Sequence, residues 1–262
     1  MWIKEPLSNH KEDTSFNSHV VFLWKDDKRP IYVSDNHLTA AWCWLQECEP
    51  NRQYNFMHID RHVDLSGKGE PTIIEGLKDN PKISFGEFLN FEYNNGYTFQ
   101  FFQWDNFIRA IHHLFPQWFQ RNLFYVYEDL DETMDAKKNG WGYADFPFVK
   151  RNVLYLRDDI TGFIEKGYLD IDKEIIINQN NISWIVSLDL DFFWDDDSNV
   201  LYDEESIRDF AQRINKALPN IKVLTIALSP DCVGGNCLKE KWENALGALN
   251  IFKEELSLNI NI

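Results

Sequence analysis

Trp184-Ile185-Val186-Ser187-Leu188-Asp189-Leu190-Asp191 is the stretch whose reading decides the fold. Its opening residues are almost continuously apolar, and their β-branched and aromatic content favours strand over short helix. A strand without polar alternation must be covered on both faces, as in a parallel sheet between helical layers. The run then closes on two carboxylates. Ligands of open α/β sheets bind at the carboxyl ends of strands, which is where Asp189 and Asp191 fall. Burying bare carboxylates is costly unless a cation or good hydrogen bonds meet them.

Working outward, short apolar runs of the same kind occur at 19–24, 31–33, 54–58, 123–127, 153–156 and 223–228. Helical spacing of apolar residues marks 38–47, 204–218 and 238–256, with Asp203 and Asn236 at the N-cap positions of the last two. Strands alternating with helices predict an α/β fold with three layers, α/β/α, around a mainly parallel sheet. No repeat, low-complexity run or Pro/Gly/Ser linker divides the chain, so residues 1–262 are read as one domain. The region 84–119 is dense in aromatics, most of them expected in the core and a minority in a substrate groove.

Composition narrows the function classes. A net charge of −16 argues against a nucleic-acid partner, whose phosphates require Lys/Arg surfaces, and would favour a cationic ligand. No run is long and apolar enough to span a bilayer, and the first residues carry no secretory pattern. The 4 cysteines form neither a disulfide framework nor a CxxC pair, so a reducing cytoplasm is expected.

Two further elements carry candidate ligands. His58-Ile-Asp60-Arg-His62-Val-Asp64 places four at every second position, beginning inside the strand at 54–58. In an extended chain these share one face, with Asp60 and His62 about 6.6 Å apart. Asp64 would lie about 13 Å from Asp60, too far to share an ion. The chain must therefore curl, and Ser66-Gly67-Lys68-Gly69 downstream supplies an easy bend. The other element is Asp35-Asn36-His37-Leu38, which taken alone reads as a surface turn with Asp35 or Asn36 as helix cap. Together with Asp189 and Asp191, these elements offer two His and four Asp. Such O/N donors suit manganese or another divalent ion, and a two-metal site activates water near neutral pH.

These motifs resemble those of arginases and agmatinases. Asp60-x-His62-x-Asp64 is similar to their Asp-Ala-His-x-Asp motif. Ser187-x-Asp189-x-Asp191 is similar to Ser-x-Asp-x-Asp, and Asp35-Asn36-His37-Leu38 to Gly-Asp-His-Ser. The local wording, His-Ile-Asp-x-His-x-Asp-Leu and Leu-Asp-Leu-Asp-Phe-Phe, looks closer to the divergent peptide arginases. The resemblance covers about residues 20–249 and implies an arginase-like fold with two Mn²⁺ ions. It further implies that Asp60 and Asp189 bridge both metals and the hydroxide between them. His37 and Asp64 would complete one coordination sphere, and His62 and Asp191 the other. The reaction implied is hydrolysis of the guanidinium of arginine in a peptide, giving ornithine and urea.

The sequence also departs from that pattern. Phe192-Phe-Trp-Asp-Asp stands where classical arginases carry Asp-Pro, and no His lies between His62 and His112 to match their proton-transfer residue. Ala227-Leu-Ser-Pro230 aligns with Glu-x-Asn-Pro, leaving Asp231 as the nearest carboxylate for a guanidinium. Glu70 and Glu87 are proton-transfer candidates by residue type alone. His58 is read as supporting or packing rather than ligating, and His112 and His113 as structural. Three alternatives stay open: a ureohydrolase of a small free guanidine, a metal phosphohydrolase using Asp189-Leu-Asp191, and a metal-retaining protein that binds peptides without turnover. The sequence leaves the oligomeric state open.

Overall fold

The computed structural model describes residues 1–6, 19–66, 71–94, 97–120, 122–125, 182–194 and 199–261. The strands are β1 (Trp2–Lys4), β2 (Leu23–Lys25), β3 (Ile31–Ser34), β4 (Asn55–Ile59), β5 (Glu92–Asn94), β6 (Thr98–Gln100), β7 (Asn122–Tyr125), β8 (Trp184–Asp189) and β9 (Ile221–Ala227). The helices are α1 (Thr39–Glu47), α2 (Phe85–Leu89), α3 (Phe107–Leu114), α4 (Glu204–Ala217) and α5 (Leu238–Glu255). Seven of the described strands form one sheet in the order β1-β2-β3-β9-β8-β4-β7. From β3 to β7 every pairing is parallel, and only the β1–β2–β3 edge is antiparallel.

Strand periodicity sorts the core into two halves. On one face Val33, Met57, Ile59, Val186, Leu188, Leu224 and Ile226 pack against Phe210, Ile214, Trp242 and Leu249 of α4 and α5. On the other, Tyr32, Phe56, Ile185 and Val223 pack against Trp44 and Leu45 of α1 and Ile108 and Ile111 of α3. Helices on both faces of the sheet give the three-layer α/β/α arrangement. Every residue of β8 is buried, which is why its sequence shows no polar alternation.

The structure revises some element boundaries. Of the run 19–24, only Leu23 and Trp24 enter a strand. Val20, Val21 and Phe22 are apolar because they are buried, and the amides of Val21 and Phe22 donate to the Asp35 carboxylate at 2.8 Å each instead of to a strand. Asp203 caps α4 by accepting from the Ser206 amide. Cys237, not Asn236, occupies the N-cap of α5, because the Asn236 backbone and side-chain amides both donate to Glu240. The expected strand at 153–156 lies outside the described residues. Among the described residues no helix is long and apolar enough to cross a membrane.

Candidate metal centre

His37, Asp60, Asp64, Asp189 and Asp191 converge at the carboxyl edge of the parallel strands, and all five side chains are 7% exposed or less. The topology makes this convergence demanding. β3 and β4 are separated by β9 and β8, so three inter-strand steps, about 14 Å, divide their ends. His37 closes that gap from the turn after β3. Ser34 Oγ accepts or donates at 2.8 Å to Thr39 Oγ1, and Asn36 Oδ1 accepts from the Leu38 amide at 3.0 Å, so the turn is pinned before α1 begins. The turn is buried throughout, which corrects the reading of a surface turn. Asp35 anchors residues 21 and 22, and α1 starts without a side-chain cap.

The second element curls tightly after β4. Asp60 Oδ1 accepts from the His62 amide at 2.7 Å, and His58 Nε2 lies 3.2 Å from the His62 carbonyl. Asp64 itself adopts a left-handed backbone, φ 51°, a conformation that Asp tolerates better than bulkier residues. The curl is thus under way between Asp60 and Asp64; Gly67 and Gly69, expected to ease it, lie outside the described residues. With the chain folded back, His37 Nδ1 stands 3.2 Å from Asp60 Oδ2, 3.1 Å from Asp64 Oδ2 and 2.9 Å from Asp189 Oδ2. His62 Nδ1 stands 3.2 Å from Asp191 Oδ2 and 3.5 Å from Asp60 Oδ1.

Two donor groups result, each with ligand atoms close enough to share an ion: His37, Asp60 and Asp64, and Asp60, His62 and Asp191. Asp60 belongs to both, with one oxygen turned to each. Asp189 approaches the first group through His37, but both its oxygens also accept hydrogen bonds. Oδ1 takes the Asp191 amide at 3.1 Å, and Oδ2 takes the Ser229 hydroxyl at 2.5 Å.

The fit of a divalent cation can be judged from the atoms themselves. His37 Nδ1, Asp60 Oδ2, both oxygens of Asp64 and Asp191 Oδ2 are buried without a hydrogen bond of acceptable geometry. Native interiors rarely leave such groups unsatisfied. Donors held about 2.1 Å from one ion at right angles lie about 3.0 Å apart, close to the spacings around His37. The electrostatics agree. Burial raises the Asp64 carboxyl well above its usual range, with Asp60 and Asp189 adding to the shift. Burial, then Asp189 and Asp60, push Asp191 up to about 7. Burial opposes charge on His37 and His62, yet the surrounding carboxylates outweigh it, raising His37 well above its ordinary value and His62 to about 12. Without added positive charge, this cluster gathers protons. A divalent cation would replace them, and the donor set fits one.

The remaining residues divide clearly. His58 is fully buried among Phe56, Phe107 and Phe124, and burial pushes its imidazole down to about 4, so it is neutral. Its Nε2 is 3.4 Å from Asp60 Oδ2, and it belongs to neither donor group. Glu87 is exposed and closes a capping box with Ser84 at the start of α2; Glu70 lies outside the described residues. His113 is exposed, 3.8 Å from Glu75, and His112 packs on Phe119. Asp231 sits on the turn after β9, where its carbonyl accepts from Lys241 Nζ at 2.8 Å. That turn is close to the cluster. The Cys232 thiol is raised to about 12 by burial and then by Asp191, and the Cys232 carbonyl accepts from Arg61 Nη1 at 3.2 Å. His62 is the most exposed donor of the six, at 28%, and Trp104 meets it edge-on at 6.5 Å. Sequence alone gives no individual role to Ser229, Arg61 or Trp104, since each contacts a partner distant along the chain.

No protein-family model matches the chain, and no curated protein matches it. Among solved structures, it is similar to an arginase from Helicobacter pylori at 10% identity and a TM-score of 0.46, covering 88% of this chain and 75% of that one. It is also similar to an Entamoeba histolytica arginase solved with L-ornithine, at 12% identity and a TM-score of 0.38, covering 84% and 68%. A Bacillus caldovelox arginase matches at 14% identity and a TM-score of 0.41, covering 87% and 70%.

Proposed function

We propose that this chain is a two-metal hydrolase of the ureohydrolase type, acting on arginine side chains within a peptide to give ornithine and urea. The observation that carries the reading is Asp60, one buried carboxylate whose two oxygens face two separate donor groups. His37, Asp60 and Asp64 would hold one ion, and Asp60, His62 and Asp191 the other, with Asp189 beside the first. Oxygen and imidazole donors suit Mn²⁺, as they suit other divalent ions. When bound, such ions would supply a water acidified towards neutral pH and a polarising charge for the substrate.

The chain's own residues would do the rest. Phe107 packs on His37 at 5.2 Å and on His58 at 6.2 Å, closing that side to water. The approach is then from the side of His62, the most exposed of the donors, beside Trp104. Asp231, on the turn beside the cluster, is the carboxylate proposed to pair with the substrate guanidinium. The net charge of −16 favours approach of a basic peptide. A phosphohydrolase using Asp189 as nucleophile is less well served, because both Asp189 oxygens already accept hydrogen bonds.

The test is urea release by manganese-loaded protein from an arginine-containing peptide, free arginine and agmatine, with a generic phosphate ester as a fourth substrate. The expected order of kcat/KM places the peptide first. Equal or better turnover of a small guanidine would overturn the peptide assignment. Absence of urea from every guanidine, with ions bound, would overturn the hydrolase reading.

A further inference from the structure

We propose that Ser229 is a positioning residue of this centre, the link that sets Asp189 against the His37 turn. It rests on the reading of the centre as a metal site. β9 lies between β3 and β8, and Ala227 is level with Ser34 on one side and Asp189 on the other. Beyond Ala227 the ladder to β3 continues for two residues. The Leu228 amide donates to the Ser34 carbonyl at 2.9 Å, and the Ser229 amide to the Asp35 carbonyl at 3.1 Å. The Ser229 hydroxyl then turns the other way and donates to Asp189 Oδ2 at 2.5 Å. One residue at the end of β9 thereby joins the ends of β3 and β8, the neighbouring strands that lead into His37 and Asp189.

The backbone explains how it does so. Ser229 has φ 40° and ψ 55°, a left-handed conformation that L side chains seldom adopt. It opens directly into the turn Pro230–Cys232, where the Cys232 amide donates back to the Ser229 carbonyl at 2.9 Å. Glycine would satisfy this backbone with less strain. A serine here retains what glycine lacks, a hydroxyl. Strained residues held by their surroundings cluster at functional sites. The anchor on the other side is firm, since the Asp35 carboxylate is itself bound by the amides of Val21 and Phe22. Asp189 Oδ2 lies 2.9 Å from His37 Nδ1, so fixing that oxygen fixes its distance to the first donor group. Partners that orient ligands in this way typically contribute about 10–100-fold to metal affinity.

The strain and the hydroxyl can be separated experimentally. Ser229→Gly removes both, Ser229→Ala removes only the hydroxyl, and Ser257→Gly relieves a left-handed serine, φ 52°, that is exposed and takes no part in the centre. Each full-length variant is stripped with chelator, its metal-free Tm is measured, and manganese is titrated by electron paramagnetic resonance. Both Ser229 variants are expected to bind manganese about 10–100-fold more weakly, while the metal-free Tm of Ser229→Gly equals or exceeds that of Ser229→Ala. Ser257→Gly is expected to bind as the wild type does. If Ser229→Gly fails to fold, Ser229→Ala alone decides the affinity question. Wild-type affinity in either folded Ser229 variant would overturn the proposal while leaving the metal reading intact. A wild-type protein that takes up no ion would overturn both.

Discussion

Asp60→Asn separates a shared ligand from two independent sites. The substitution keeps the size of the side chain and the oxygen that accepts from the His62 amide at 2.7 Å. It replaces the other oxygen, 3.2 Å from His37 Nδ1, with an amide that cannot ligate a cation. Both donor groups contain Asp60, so the first loses that ligand atom and the second keeps only a neutral amide oxygen in place of a carboxylate. An ion present at about 100 times its Kd stabilises the folded chain by about 2.7 kcal/mol, so two such ions contribute about 5 kcal/mol. At about 2–4 °C per kcal/mol for chains approaching this size, manganese should raise the wild-type Tm by about 10–20 °C. In Asp60→Asn that increment should vanish, and elemental analysis should find no ion after desalting. His37→Ala and His62→Ala each touch one group, and each should keep one ion and about half the increment. The assay is a thermal melt with and without manganese on all four proteins, paired with metal analysis. An Asp60→Asn protein that retains both ions and the full increment would refute the shared carboxylate, because neither group would then depend on it.

Two further outcomes follow from the same geometry. In the metal-free protein the Asp191 carboxyl is raised to about 7, so the folded chain holds a proton that the unfolded chain releases near 3.8. That stability is complete below the lower value and lost as pH climbs through the upper one. His62, raised from 6.5 to about 12, has the same sign at higher pH. Metal displaces these protons, so the Tm difference between manganese-loaded and metal-free protein should widen from about pH 5 to about pH 8; a difference that is flat or narrows would contradict the protonation scheme. Asp35→Ala should lower Tm in both forms by a similar amount, costing about 2–4 kcal/mol, because two buried amides lose their acceptor. Metal analysis should still find two ions, and loss of either would mean that the Asp35 anchor is needed to hold the centre together.

The legible part of the fold was the part encoded in short-range pattern. β8 and β9 were visible as apolar runs because both sheet faces are covered, and α4 and α5 through helical spacing. β1, β5 and β6 were not legible. Three residues are too few for a period of two to register, and among the described residues β5 and β6 pair only with each other. The run 19–24 misled for a physical reason. Its hydrophobicity reflects burial, while the Asp35 carboxylate takes the amides of Val21 and Phe22 that a strand would have paired.

The candidate centre shows the same boundary more sharply. Asp60, His62 and Asp64 could be grouped because they alternate along one strand end, and Asp189 and Asp191 because they close another. Extended geometry also required a curl, since about 13 Å is too far for a shared ion. What spacing could not show is how the curl is held. The Asp60 carboxylate binds the His62 amide, His58 lies against the His62 carbonyl, and Asp64 takes the left-handed backbone. In this way the ligands build their own turn, and His58 contributes from the aromatic layer beneath it. Ser229 lies further from any local pattern, because its partner Asp189 is forty residues away and joined only through the parallel β8–β9 register. Ligand types are written in short motifs, whereas the contacts that fix ligand distances are set by strand order. A substitution at such a contact should therefore change metal affinity while the motifs remain intact, which separates the two kinds of information by measurement.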